Sequence, residues 1–278
     1  VFFMQTLAGG EEDERVRRIL EKADRGKIVT LPKSEFDHGG TRNLGASLSK
    51  ADYMLFMTQD AVPAQDTLVE KLCASFESHE RVAAAYGRQL PGEQSGVIER
   101  YTREFNYPPE SSVKEKADLD RLGIKTFFCS NVCAMYRRDI YEKLGGFVTR
   151  TIFNEDMIFA AGLIQAGYRI AYAAEAEVIH SHKYTYWQQL TRNFDLAVSQ
   201  RQYRQIFEQV RSESEGMRLV KDTMKYLMKH GKWYLIPDLV LQSGFKWMGY
   251  KLGLRYESLP KGLVKKFSMN KSYWNERC

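Results

Sequence analysis

The sequence predicts an α/β sandwich, a mixed and mostly parallel sheet covered by helices, followed by a helical region. Two observations predict it. Short apolar runs alternate with amphipathic stretches through the first two-thirds of the chain. That alternation is what strands joined by crossover helices produce. From Thr185 onward strand patterns stop and long helical periodicity takes over.

Taken in order, residues 11–25 carry Val16, Ile19, Leu20 and Ala23 at helical spacing, which predicts an amphipathic helix facing inward. The apolar run 27–31 reads as a short strand that Pro32 ends. A glycine-led helix is expected over 39–50 and a buried strand over 53–57. Residues 66–77 repeat Leu68, Val69, Leu72 and Phe76 as a helix, and 81–86 returns to strand. Residues 91–125, with Pro108-Pro109 and a mixed-charge run, read as a loop-rich insertion over the sheet edge. Strands at 132–136, 169–172 and 177–180 follow, with a helix over 156–166.

Composition narrows the function classes. The 278 residues suffice for one large domain or a domain with an appendage. Hydrophobic residues at 44% and charged residues at 27% exclude wholesale disorder. A mean hydropathy of −0.46 argues against a polytopic membrane protein. The N-terminal run Val1-Phe-Phe-Met-Gln-Thr-Leu is short, lacks a basic flank and meets Gly9-Gly10-Glu11-Glu12-Asp13, so it does not read as a signal peptide. Four cysteines, including Cys278, are too few for a disulfide scaffold and suggest a reducing compartment.

Charge is uneven. Residues 217–278 hold 13 basic and 4 acidic side chains. This region interleaves Trp233, Tyr234, Phe245, Trp247 and Tyr250 with Lys232, Lys246 and Lys251. Pro237-Asp238 and Lys246 break it as a membrane span, and the pattern suits an interfacial helix on an anionic bilayer. A solvated helical face is the alternative. Nucleic acid is the least favoured partner, because no recognised nucleic-acid module is present.

Four short motifs carry chemistry. Asp60 follows the strand 53–57 in Thr58-Gln59-Asp60, where a carboxylate can hold a hard cation or simply cap a turn. Glu155-Asp156 opens an apolar helix, as a cap or as a general base. His180-Ser-His182 follows a strand, and i, i+2 spacing on an extended chain sends the two rings to opposite faces, so one of them is the better ligand. Gly39-Gly40-Thr-Arg42-Asn43 offers free helix-start amides and a cation to a phosphate. Its spacing is neither a P-loop nor G-x-G-x-x-G.

The order of these motifs resembles glycosyltransferase family 2, the inverting enzymes of GT-A fold, and within it the bacterial rhamnosyltransferases that use dTDP-L-rhamnose. The stretches that carry the resemblance are Phe36-Asp-His-Gly-Gly-Thr-Arg-Asn-Leu-Gly-Ala46, Thr58-Gln-Asp-Ala-Val-Pro63, Tyr86-Gly-Arg-Gln-Leu-Pro91, Phe105-Asn-Tyr-Pro-Pro109, Phe153-Asn-Glu-Asp-Met157 and His180-Ser-His182. The resemblance implies a Rossmann-like GT-A domain over 1–184 and a helical basic region over 185–278. It implies Asp156 as base with Glu155 beside it. It implies donor contacts from Gly39, Gly40, Arg42, Asn43, Thr58, Gln59 and Asp60, and a Mg²⁺ or Mn²⁺ ion at Asp60, His180 and His182. Only the last acid of the family's D-x-D survives, as Asp60.

The resemblance also implies an opening apolar strand with a Pro-x-Tyr-Asn-like turn. None is legible in 1–10, so the N-terminal strand is expected to be missing. The implied substrates are a nucleotide sugar and a cell-surface polysaccharide or lipid-linked glycan. The implied place is the cytoplasm, with peripheral contact on the inner face of the plasma membrane. Two alternatives stay open: another nucleotide-sugar donor, or a catalytically silent binding protein of the same fold.

Overall fold

The strands form two sheets in the computed structural model, which describes residues 1–7, 14–22, 26–208 and 213–275. The smaller sheet pairs β1 (Phe2–Leu7) in parallel with β2 (Lys27–Pro32), Phe2 lying opposite Lys27 and Leu7 opposite Pro32. The run 1–7 thus holds a strand, though without the Pro-x-Tyr-Asn-like turn that the resemblance implies for the family's opening strand. The apolar run gains its ladder partner some twenty-five residues away, a pairing that local pattern cannot show. Helix α1 (Glu14–Glu21) joins the two strands. Its Ile19, expected to face inward, is 69% exposed. Residues 8–13 and 23–25, with the acidic run and Ala23, lie outside the described residues, as does Cys278.

The main sheet has the order β3 (Tyr53–Met57), β7 (Cys133–Arg137), β5 (Val82–Leu90), β8 (Arg169–Ile179), β4 (Val62–Pro63), with β6 (Ser112–Lys114) also paired to β8. The sheet is mixed. Its β5–β8 ladder is parallel, while β3–β7, β5–β7, β4–β8 and β6–β8 are antiparallel. The parallel share is thus smaller than the βα alternation implies, because β7 inserts between β3 and β5 in the opposite direction.

Strand β7 shows why the pattern reads as a buried run rather than an alternation. Cys133 and Met135 pack into a cluster with Leu68, Leu72 and Val178 on one face. Ala134 and Tyr136 pack into another with Phe147, Phe159 and Leu163 on the other face. A strand covered on both sides needs apolar residues at every position. The first face is covered by α3 (Leu68–Ser78), the second by α7 (Glu155–Gln165) and α6 (Arg138–Lys143).

The expected strands at 169–172 and 177–180 are one strand. Its partner on β5 jumps from Gly87 opposite Ala173 to Arg88 opposite Glu177, so the register breaks in the middle. The carbonyl of Ala176 then presses on Gly87, where a Cβ would lie 2.5 Å from that oxygen. The insertion 91–125 also holds more order than a loop: α4 (Val97–Asn106), β6 and α5 (Leu119–Leu122).

Beyond 185 come α8 (Tyr186–Gln202), α9 (Arg204–Phe207), α10 (Glu213–Lys229), α11 (Ile236–Gly253) and α12 (Lys261–Phe267). Thr185 caps α8 by accepting from the Gln188 N–H, and Gln188 answers the Thr185 N–H, a reciprocal capping box. Phe194 and Val198 of α8 join Ile152, Val264 and Trp274 in a separate core. Helix α11 lies directly on α8. A Cβ on Gly249 would stand 2.1 Å from the Leu190 carbonyl, and one on Gly253 would stand 2.4 Å from that of Phe194. Glycine one turn apart therefore sets the closeness of the two helices. Gly249→Ala is expected to push α11 off α8 and cost about 1–3 kcal/mol, read by thermal melting; an unchanged melting temperature would show that the contact carries no constraint.

Candidate active site

Four strand ends meet at one rim of the main sheet. These are the carboxyl ends of β3, β5 and β8 and the amino end of β7. Ligands gather at such rims, because chain leaving each strand there can aim side chains outward.

Asp60 sits in the turn after β3, closed by the Ala61 N–H donating to the Thr58 carbonyl at 3.1 Å. Its Oδ2 lies 3.2 Å from His182 Nε2 and 3.5 Å from His180 Nε2. The expectation that the two rings point to opposite faces does not hold: both turn toward Asp60. β8 ends at Ile179, so 180–182 is free of strand alternation. The chain is instead pinned three ways: His180 N–H to the Leu90 carbonyl at 3.0 Å, Gly92 N–H to Ser181 Oγ at 2.6 Å, and His182 N–H to Glu99 Oε1 at 3.3 Å. The rings stand edge to face with centroids 4.5 Å apart, and His182 stacks on Tyr184.

These three side chains form a group whose ligand atoms all lie within 4.8 Å of one another. One carboxylate and two imidazoles suit a transition metal better than Mg²⁺, which prefers oxygen alone. Of Mg²⁺ and Mn²⁺ the donor set thus matches Mn²⁺ better. Burial pushes the His180 imidazole down to about 4, with Arg103 adding to the effect and Asp60 opposing it. Burial also lowers His182. Neutral rings keep a lone pair for a cation. At Asp60 burial acts upward, but Thr58 and the two imidazoles outweigh it and bring the carboxyl below its usual value.

The acidic pair lies across the rim. Asn154 takes a left-handed conformation, φ 65°, and turns the chain into α7, so that Glu155 and Asp156 fill the first turn. The two acids part company at once. Glu155 accepts from Arg42 Nη1 at 2.9 Å in a largely buried ion pair. Asp156 has no ion-pair partner among the described residues and accepts backbone N–H groups instead, Asn131 at Oδ2 (3.2 Å) and Met157 at Oδ1 (2.8 Å). Burial, helped by the adjacent Glu155 charge and opposed by the two amides and Arg42, raises its carboxyl to about 7. A carboxyl poised there is suited to proton transfer near neutral pH.

Residues 130–132 join the two corners. Val132 O accepts the Thr58 N–H at 3.3 Å, Asn131 N–H reaches Asp156, and Ser130 Oγ accepts from Gln89 Nε2 at 3.1 Å. Asp60, Asp156 and His180 therefore share one rim.

The glycine-led helix α2 (His38–Ser47) is tied closely to its own chain. Asp37 caps it by accepting the Gly40 N–H at 2.7 Å, so that amide is already used. A Cβ on Gly39 would lie 2.0 Å from the Val148 carbonyl, which makes this glycine a packing requirement. Asn43 is held by its own chain, donating to Phe147 O at 2.9 Å and accepting from Phe147 N and Tyr141 OH. Arg42 points to Glu155. Thr58 stands at the β3 end, and Gln59 beside it is exposed.

Sequence reasoning missed Arg192. Its guanidinium lies over the rings of Phe153 (4.8 Å) and Tyr184 (5.6 Å), one next to the acidic pair and one next to His182. It makes no hydrogen bond or ion pair among the described residues. Gln89 and Arg103 were missed as well. An isolated arginine in a helix and a glutamine in a strand carry no local signal.

Residues 10–145 match the family model of Glycosyl transferase family 2. The chain is 44% identical over 250 residues to the O-antigen chain rhamnosyltransferase WbaN of Salmonella anatum, covering 89% of this chain and 79% of that protein. It is 42% identical over 271 residues to the O-antigen chain rhamnosyltransferase RfbN of Salmonella typhimurium, covering 97% and 85%. Among solved structures, S. aureus TarS 1–349 superposes with a TM-score of 0.51 at 13% identity, over 97% of this chain and 75% of that one, a likeness of fold.

The Asp156 environment predicts a stability effect. Its folded carboxyl titrates above the ordinary 3.8, near 7, so the folded state holds this proton longer and stability falls as pH rises through that interval. Asp156→Asn should remove the cost of the buried charge and raise the melting temperature at pH 8 by about 2–6 °C, with the gain vanishing near pH 4. Calorimetry at both pH values checks this; equal gains at both would show that the buried charge is not the cause.

Proposed function

Since the chain belongs to glycosyl transferase family 2, we propose that it transfers L-rhamnose from dTDP-L-rhamnose to an O-antigen-type glycan carried on a lipid, with inversion at the anomeric carbon. The observation that carries this reading is the convergence of the Asp60–His180–His182 group and the unpaired Asp156 on residues 130–132. Rhamnose and O-antigen follow the two Salmonella relatives, both O-antigen chain rhamnosyltransferases.

In this reading Asp156 takes the proton of the acceptor hydroxyl as its oxygen attacks the anomeric carbon. The bond from that carbon to the donor phosphate breaks on the opposite side, and the nucleoside diphosphate leaves. Glu155 stays ion-paired and holds Arg42, so the two adjacent acids do not compete for the proton. Asp60, His180 and His182 would hold Mn²⁺, which when bound screens charge on the leaving diphosphate. Arg192, uncommitted to a carboxylate, adds fixed positive charge between the two corners.

Membrane contact completes the reading. No helix among the described residues is long and apolar enough to cross a membrane. Helix α11 buries Leu239, Gly249 and Gly253, while its outward face exposes Val240, Leu241, Trp247 (63%) and Met248. Trp233 (66%) and Tyr234 extend that face at its start. Exposed Lys229, Arg255 and Lys261 lie near its ends in the chain. An apolar stripe with tryptophans and a basic border suits the headgroup layer of an anionic bilayer, where a lipid-linked acceptor resides.

Two outcomes are expected. Among nucleotide sugars offered with Mn²⁺, dTDP-L-rhamnose should be turned over best, Asp156→Asn should lower turnover by at least about 100-fold, and wild-type turnover should fall as pH drops through about 7; near-wild-type turnover in Asp156→Asn would refute the base. In vesicle sedimentation, wild type should bind anionic vesicles over neutral ones, and Trp233→Glu/Trp247→Glu should lose binding while keeping the melting temperature. Equal binding by the double variant would exclude α11 as the contact face.

A further inference from the structure

Gln89 is buried at the end of β5, in the Tyr86-Gly-Arg-Gln-Leu-Pro91 stretch, and has no place in the mechanism above. Both ends of its amide are nonetheless engaged. Oε1 accepts from Arg103 Nη1 of α4 and lies 2.9 Å from His180 Nδ1, while Nε2 donates to Ser130 Oγ at 3.1 Å. The parallel register explains the meeting: Gln89 pairs with Val178, and the His180 N–H continues the ladder onto the Leu90 carbonyl.

These contacts decide where the His180 proton sits. A guanidinium can only donate, so the Gln89 atom facing Arg103 is the carbonyl oxygen. Ser130, on the other side, meets the amide nitrogen, which agrees. The same oxygen faces Nδ1, so Nδ1 must carry the hydrogen. In a neutral ring the lone pair is then on Nε2, the atom 3.5 Å from Asp60 Oδ2. A lone pair facing a carboxylate oxygen is unfavourable until a cation lies between them.

We propose that Gln89, oriented by Arg103, is a positioning residue that fixes the Nδ1–H tautomer of His180 and so presents Nε2 to a divalent cation at Asp60 and His182. This rests on reading those three residues as a metal site. It gives α4 of the insertion a role, since that helix delivers Arg103 to the amide. Hydrogen-bonded partners of this kind hold a ligating ring in its tautomer and orientation, and losing one weakens metal affinity by about 10- to 100-fold.

The test measures Mn²⁺ binding to the full chain without donor, at neutral pH, by the electron spin resonance of free Mn²⁺. Asp60→Asn should abolish binding; if it does not, the metal reading itself fails, whatever Gln89 does. Given that loss, Gln89→Leu should weaken binding by about 10- to 100-fold, and Gln89→Glu, which still accepts from both Arg103 and Nδ1–H, should stay within a few-fold of wild type. Nitrogen-15 spectra of histidine-labelled wild type should show His180 as the Nδ1–H tautomer before metal is added, a readout that does not depend on any variant folding. An Nε2–H tautomer in wild type, or wild-type affinity in a folded Gln89→Leu, would overturn the proposal.

Discussion

The site depends on one backbone segment, residues 130–132 at the amino end of β7. Three successive residues there hold three separate parts of the rim: Ser130 the Gln89 amide, Asn131 the Asp156 carboxylate, and Val132 the chain that leads to Asp60. The segment is rigid because β7 is the strand buried on both faces, packed between two apolar clusters. A central strand cannot shift without disturbing both. The placement of the Asp60–His180–His182 group relative to Asp156 is thus set by the core of the sheet rather than by the loops that carry the residues.

The same core sets the electrostatics. Asp60 stands on the outer rim, where Thr58 and two imidazoles keep its carboxyl low. Asp156 stands at the start of an apolar helix whose burial lifts its carboxyl to about 7. Glu155, its immediate neighbour, meets Arg42 instead. Two identical functional groups one residue apart are given opposite roles by what packs around them, since one finds a cation and the other finds only amides. Holding Asp156 so costs stability at pH values above that at which its carboxyl ionises.

The helices after 185 do two jobs with opposite faces. Inward, α8 packs Phe194 against Ile152, Val264 and Trp274 and brings Arg192 over the rings of Phe153 and Tyr184. Outward, α11 is carried on α8 by close glycine contacts, which leave its apolar face turned away from the fold. The insertion between β5 and β6 packs Ile98 of α4 against Leu227 and Leu239 of these helices, so the two parts of the chain share a core.

The sequence by itself determined the order of elements, the family and the acids. Tyr53–Met57 was legible to the residue from its continuous apolar run, although as an edge strand it buries only Met54 fully, and the Glu155-Asp156 helix start was legible from its cap-like acids. Only the tertiary structure decided the rest. It paired the N-terminal run with β2, merged two apparent strands across a register break at Gly87, and turned His180 and His182 toward one carboxylate after the strand had ended. It also showed that Gly39, Gly40 and Asn43 serve their own chain, and that Gln89, Arg103 and Arg192 stand at the rim. The physical reason is common to these cases. Periodicity reports what a residue's own element buries, whereas ladder partners, shared hydrogen-bond acceptors and a carboxylate's cation come from elements distant in sequence.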